Sequence, residues 1–414
     1  MRGLHIAALV LGLSVGMPLA AEPAPKASPQ EVARKVKSLV DSEFYRPAHF
    51  PALGGDKLAF EDIDQALARL GTSHTARYAP GTIDYVELAD ILRGPISKEL
   101  KRLFPPDGQP AYEGIGIATK LMDGRRFVFR VYTSSAASAA GLQVGDEILT
   151  VDGSPFHEID SFKGKRGKVV TMTIRRESGG EPRDIKLTPI RIRPSQSFFD
   201  AMVSSVRVFE REGLRIGYFR LWALGSNEIE STLTKLIKDG RLKEVDGLVV
   251  DLRGRWGGRF GEVPDLFISD GPEVSFTRRN GKVSYAMATY DKPVVAIVDE
   301  GTRSAQEMFA HLMRKQGARI VGKPTPGAVL AAGAYILPDD SLLVLPVAEV
   351  RIDGELLEGK GVRPDIEVEF PLPYAAGADP QFDAALDVMV QRLCGEPAHR
   401  SPDACTDSGM QAPN

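Results

Sequence analysis

From Gly213 onward the chain alternates apolar strands with amphipathic helices, and this rhythm restricts it to parallel strands flanked by helices. LRIGYFRLW is followed by the helical EIESTLTKLIKDG, the strands VDGLVVDLRG and PVVAIVDEG, the helix SAQEMFAHLMRKQG and the strand ARIVGK. A β-rich run, SLLVLPVAEVRI, closes this core. Residues 31–104 read instead as helices, in VARKVKSLVDSEF, FEDIDQALARLG, YVELADILRG and SKELKRLF, ended by Pro105, Pro106 and Gly108. Residues 110–190 carry short β-type runs punctuated by Gly and Asp, with a small-residue turn at SSAASAAGL, the pattern of a compact module.

At 414 residues the chain needs more than one domain. Its 43% hydrophobic and 26% charged content exclude wholesale disorder. Lys plus Arg at 52 against Asp plus Glu at 55 leaves a net charge of −3, which gives no electrostatic case for nucleic acid. Residues 1–21 place one arginine before an apolar run from Leu4 to Met17 and then Ala20 and Ala21, so a secretory signal peptide is expected. That run is shorter than the roughly 20 residues of a bilayer span. Export makes the two cysteines, Cys394 and Cys405, an expected disulfide pinning a polar tail. Two cysteines and no histidine cluster leave no metal motif, and no cofactor is expected.

Ser304, in VDEGTRSAQEMF, stands at a strand-to-helix junction and allows two readings. With Glu307 three residues on, it forms the S-x-x-E of a capping box. A hydroxyl at a helix N-terminus also sits beside unpaired N–H groups and the positive end of the dipole, a setting that suits a nucleophile. The glycine pair of DLRGRWGG follows a buried-type strand; it is a turn, or a turn that also presents N–H groups to a substrate carbonyl.

Taken together, YEGIGIATK, SSAASAAGLQVGDEILTVDG, DLRGRWGG, VDEGTRSAQE, GKPTPG and EGKGVRPDIEV resemble the C-terminal processing (tail-specific) serine peptidases and their tricorn-core relatives. The resemblance spans roughly residues 30–370 and implies a multidomain α/β fold. Its parts would be a crotonase-like α/β core, a small N-terminal helical domain and an inserted PDZ domain. It implies acyl-enzyme proteolysis at Ser304, with Gly257, Gly258 and Ala305 around the oxyanion. It also implies capture of a peptide terminus by Gly114, Ile115, Gly116 and Ile117. One departure stands out: the tail-specific branch pairs its serine with a lysine, and Ala328 occupies that position here. Lys323 reads as a surface charge, and His311, seven residues along the Ser304 helix, lies about 10 Å away at roughly 1.5 Å per residue. His74, in LGTSHTARYAP, is similar to the Ser-His pair of the tricorn branch, with Glu358 as the matching acid and Glu355 as the nearby competitor for that place. The implied relay is Ser304, His74, Ser73 and Glu358. Neighbours on an extended strand face opposite ways, so Ser73 and His74 must lie on a turn.

The expected domains are a signal peptide at 1–21, the helical domain at 22–106, the PDZ domain at 107–192, the peptidase core at 193–373 and a tail at 374–414. The expected function is an exported serine endopeptidase, periplasmic or extracellular. Its partners would be polypeptides with exposed C-terminal tails, without nucleic acid or a stable membrane span, and with a homo-oligomer left open. The alternative is a catalytically silent PDZ-containing peptide-binding or scaffold protein, motivated by Ala328.

Overall fold

A computed structural model describes residues 27–224, 227–254, 256–258, 263–267, 274–277, 283–286, 290–352 and 354–395. The expected signal peptide and Cys405 lie outside these residues. The central sheet has the order Arg207–Arg211, Leu214–Arg220, Gly247–Asp251, Val294–Val298, Arg319–Gly322 and Ile366–Glu367. Its first pair is antiparallel and the remaining pairs are parallel. GLVVD and VVAIV are buried along their whole length because both faces are covered.

The two-residue period of a strand divides these apolar runs between two cores. Leu248, Val250, Ala296 and Val298 face helices Asn227–Lys238 and Ala305–Lys315, packing with Leu233, Phe309 and Met313. Val249, Val295 and Ile297 face the other way, onto Ala385, Met389 and Leu393. Those three belong to helix Pro380–Gly395, which corrects the expectation of a tail from residue 374. Phe382, Leu386, Met389 and Leu393 recur at helical spacing, so this segment completes the core rather than trailing from it. Cys394, at its end, is disulfide-bonded. A second helix, Pro194–Ser205, was also not expected; it begins with Pro in its first turn and buries Phe198, Ala201 and Met202.

The N-terminal unit holds helices Pro29–Glu43, Phe60–Ala68, Ile83–Ile91 and Ser97–Leu103. The first starts with a capping box, in which the Ser28 hydroxyl accepts from Glu31 N at 3.3 Å and Glu31 accepts from Ser28 N at 2.8 Å. Its apolar stripe, Val32, Val36 and Val40, packs on Ile63 and Leu67 and on Leu343 and Leu345 of the core. Strand Ala76–Tyr78 pairs antiparallel with Leu342–Ala348, so backbone hydrogen bonds join the helical unit to the core.

Between the two lies an antiparallel sheet ordered Ile117–Met122, Arg125–Val131, Glu147–Val151, Val170–Arg175 and Arg183–Leu187. Val128, Ile148, Phe162, Met172 and Ile174 fill its core. Strands Tyr112–Gly114 and Ile190–Ile192 pair where the chain enters and leaves, as suits an inserted module. Among the described residues no helix is long and apolar enough to cross a membrane.

Candidate active site

Three loops leave the carboxyl ends of adjacent parallel strands, 251, 298 and 322, and meet at one place, where open α/β sheets hold their ligands. Strand Val294–Val298 leads into the loop 299–303. This loop is pinned by Thr302 Oγ1, which donates to Leu252 O at 3.0 Å, and by Asp299, which accepts from Gly301 N at 2.9 Å. Asp299 also forms a buried ion pair with Arg130 of the inserted module. Ser304 follows as N-cap of the helix with φ 55° and ψ −123°, a backbone region that non-glycine residues rarely adopt.

Glu307 holds that conformation. Its carboxylate is fully buried and accepts from Ser304 N at 3.1 Å, Thr325 Oγ1 at 2.5 Å, Gly327 N at 2.7 Å and Ala328 N at 2.7 Å. Burial raises its pKa, against the opposing effect of these four donors. Only half of the expected capping box is therefore present: Glu307 caps the Ser304 backbone, but the Ser304 hydroxyl makes no cap bond. The hydroxyl is left for other chemistry.

The glycine turn after Gly247–Asp251 lies directly against this serine. A Cβ on Gly257 would stand 2.5 Å from Ser304 Cβ and 2.5 Å from Ala305 N, so only glycine lets the chains approach this closely. Gly258 has φ 86°, and its Cβ would meet Leu224 O at 2.1 Å. Gly257 O accepts from Leu224 N at 2.8 Å.

The acid and the histidine come from elsewhere in the chain. Ser73 and His74 occupy a turn, with His74 at φ 58°, as their adjacency requires. Glu358 accepts from Ser73 N at 3.1 Å and from Ser73 Oγ at 2.9 Å. It also accepts from Val329 N at 2.8 Å and Leu330 N at 3.2 Å. Glu355 lies instead beside His311 and Lys315, both at 3.6 Å. The His74 ring bonds through Nε2 to Ala328 O at 2.9 Å, so its recorded partner is neither the Ser304 hydroxyl nor Ser73. A carbonyl can only accept, so Nε2 donates in this bond, and in the neutral ring Nδ1 is then the unprotonated nitrogen. Burial lowers the His74 pKa and the Arg303 charge lowers it further, partly offset by the Ala328 bond and by Glu358. Among the described residues, Arg303 Nε is buried without a hydrogen-bond partner.

Ala328, at the family's lysine position, contributes its backbone: N to Glu307 and O to both Ser304 N and His74. Lys323 pairs with Glu367 and Glu369 away from these groups. The segment Gly114–Ile117 borders a cleft of only about 10 Å³, shared with Ile83, Tyr112, Phe156 and Phe162. Thr119 and Glu158 also line it, and Thr119 donates to Glu158 at 2.5 Å. Sequence reasoning passed over Glu87 of helix Ile83–Ile91, a carboxylate 1% exposed, which is bonded to Trp256 and Tyr132. Its only signal was an acid inside the apolar run VELADI.

A serine heading a helix at the carboxyl edge of a parallel sheet, against a glycine turn and beside a histidine, is the layout of a serine-hydrolase site. Residues 215–368 match the sequence model of Peptidase family S41. Carboxy-terminal processing protease CtpB of Bacillus subtilis is 27% identical over 298 residues, covering 68% of this chain and 60% of that protein. A carboxyl-terminal-processing protease of Picosynechococcus is 30% identical over 281 residues, covering 62% of this chain and 65% of that one. The matches thus span less than two thirds of either relative's length. A solved chain from Bacteroides fragilis assigned to the S41 proteases superposes with TM-score 0.51 at 16% identity, covering 86% of this chain and 96% of that one, a likeness of fold alone. Residues 215–368 of the α/β core thus match peptidase family S41, and the chain is similar in sequence to the carboxy-terminal processing proteases.

Proposed function

We propose that the protein is an exported serine peptidase that cleaves polypeptides through an acyl-enzyme on Ser304, with His74 as general base. The observation that carries this reading is the meeting of both residues on the carbonyl of Ala328. The unprotonated ring nitrogen, Nδ1 while the Ala328 bond lasts, takes the Ser304 proton as Oγ bonds to the scissile carbon. The imidazolium then gives that proton to the departing amine as the C–N bond breaks, and water repeats the sequence to release the acyl group. N–H groups of Gly257, Gly258 and Ala305 stabilise the oxyanion, whose charge the positive end of helix Ala305–Lys315 also favours. Ser73 and Glu358 act on the turn that carries His74, fixing where the ring stands.

The inserted module acts as a PDZ domain. A substrate's C-terminus adds to the edge strand Ile117–Met122, with its carboxylate at Gly114–Ile117, once the Thr119–Glu158 contact opens.

A serine-directed fluorophosphonate probe, together with digestion of an unfolded protein, tests the reading. Labelling and cleavage should occur in the wild type and vanish in Ser304→Ala, and His74→Ala should lose most of both. A folded wild type that neither labels nor cleaves would favour the second reading, a silent peptide-binding protein, for which Ala328 in place of lysine is the supporting observation.

A further inference from the structure

Glu87 belongs to the helical unit, yet its two oxygens are bonded to the other two units. Oε2 accepts from Trp256 Nε1 at 2.6 Å, and Oε1 accepts from Tyr132 OH at 3.1 Å. Trp256 immediately precedes Gly257, the residue whose backbone lies against Ser304. Its indole also stands edge-on to Tyr78, in the strand that follows the His74 turn, with ring centroids 6.3 Å apart. Tyr132 follows the strand Arg125–Val131 of the inserted module and packs edge-on against Trp222 at 4.8 Å. Trp222 lies two residues before Leu224, whose N–H bonds Gly257 O.

We propose that Glu87 is a positioning residue for the peptidase site: through Trp256 it sets the Gly257–Gly258 turn against Ser304, and through Tyr132 it ties that setting to the inserted module. The proposal rests on the reading of that turn as the oxyanion site. A buried acid that accepts two donors is a costly choice unless its bonds are needed, since a desolvated carboxylate is disfavoured. Burial pushes its pKa up to about 7, against the pull of the Trp256 and Tyr132 bonds and with a further push from Glu158. The other titratable groups facing it are the phenols of Tyr112 and Tyr132, both raised mainly by burial and further by Glu87, while Arg220 lies over the Trp222 ring. Its own helix adds Asp84, Tyr85 and Asp90. Above about pH 7 the ionised acid holds both donors with charge-assisted bonds; below it the neutral acid holds Trp256 more weakly.

The test uses the full chain in a Trp222→Phe background, where Trp256 is the sole tryptophan. Its fluorescence should change sigmoidally with a midpoint near pH 7. Glu87→Gln should abolish that step, and Tyr132→Phe, which removes a bond favouring the ionised form, should move it upward. In the wild-type background, Glu87→Ala should lower kcat at least about tenfold with KM within about twofold, and Glu87→Gln should lose less while flattening the pH profile near 7. Absence of the fluorescence step, its persistence in Glu87→Gln, or an unchanged kcat in folded Glu87→Ala overturns the proposal. If the wild type shows no peptidase activity, the functional reading fails, while fluorescence still decides whether Glu87 holds Trp256.

Discussion

His74 and Ser304 meet at one atom: the imidazole Nε2 of the first and the main-chain nitrogen of the second both bond the Ala328 carbonyl, each at 2.9 Å. The residues are 230 positions apart by their numbers (304 − 74), and one turn of the chain holds both. The side chain at position 328 is only a methyl, so the contribution of this position is geometric.

The electrostatics of that junction set a pH dependence. Burial and the Arg303 charge hold the His74 pKa below the ordinary histidine value of about 6.5, so the ring is neutral and able to act as base at neutral pH. The acid limb of kcat/KM is therefore expected below pH 6.5, activity falling as pH drops through the lowered pKa. Arg303→Met removes the nearby positive charge and should move this limb to higher pH. A rate–pH profile of both proteins checks it, and a limb that stays in place would show that Arg303 does not act on His74.

Strain at Ser304 carries its own signature. A non-glycine residue at φ 55° costs on the order of 1–3 kcal/mol, and glycine removes most of that. Ser304→Gly should abolish labelling yet raise stability by about 1 kcal/mol in urea unfolding, whereas Ser304→Ala should abolish labelling without that gain. Equal stabilities would mean that the loop absorbs no strain.

Glu307 answers for the loop's shape. Glu307→Ala would orphan Thr325 Oγ1, Gly327 N and Ala328 N in a buried place, while Ser304 N keeps the Ala328 carbonyl. Each orphaned buried donor costs roughly 1–3 kcal/mol, so a loss of at least about 3 kcal/mol is expected, with fluorophosphonate labelling falling in whatever remains folded. Glu307→Gln keeps acceptor capacity and should lose less.

The parts of this fold legible in the sequence are those whose physics is local. Leu248 to Val250 and Val295 to Val298 form uninterrupted apolar runs because their strands are covered on both faces, and the helices between them show the helical period. Ser304 was legible as a helix head, but its two readings differ by the direction of one hydroxyl, which depends on Glu307 and Ala328 together. Glu87 was hidden because its reason lies in Trp256 and Tyr132, which fold onto it from other units. The last helix was obscured by the polar residues between its buried positions and by its closeness to the cysteines.

That last helix supports a prediction that separates stability from chemistry. Met389 is fully buried against the sheet, and a Cβ on Gly247 would come within 2.4 Å of its sulfur, so the thioether fills the space that this glycine leaves. Met389→Ala should cost about 2–5 kcal/mol in urea unfolding while leaving the labelling rate of the folded protein unchanged. At the same helix's start, Asp379 and Gln381 bond Arg253 at 2.7 and 3.1 Å, and Arg253 lies four residues before Gly257 (257 − 253). Asp379→Ala removes one carboxylate from a buried cation that keeps Asp251, at 2.7 Å. It should slow Ser304 labelling as well as destabilise, because the glycine turn loses part of its footing. If Met389→Ala slows labelling as much as Asp379→Ala at matched stability, the helix affects the site only through the global fold, and Arg253 has no separate part in placing the turn.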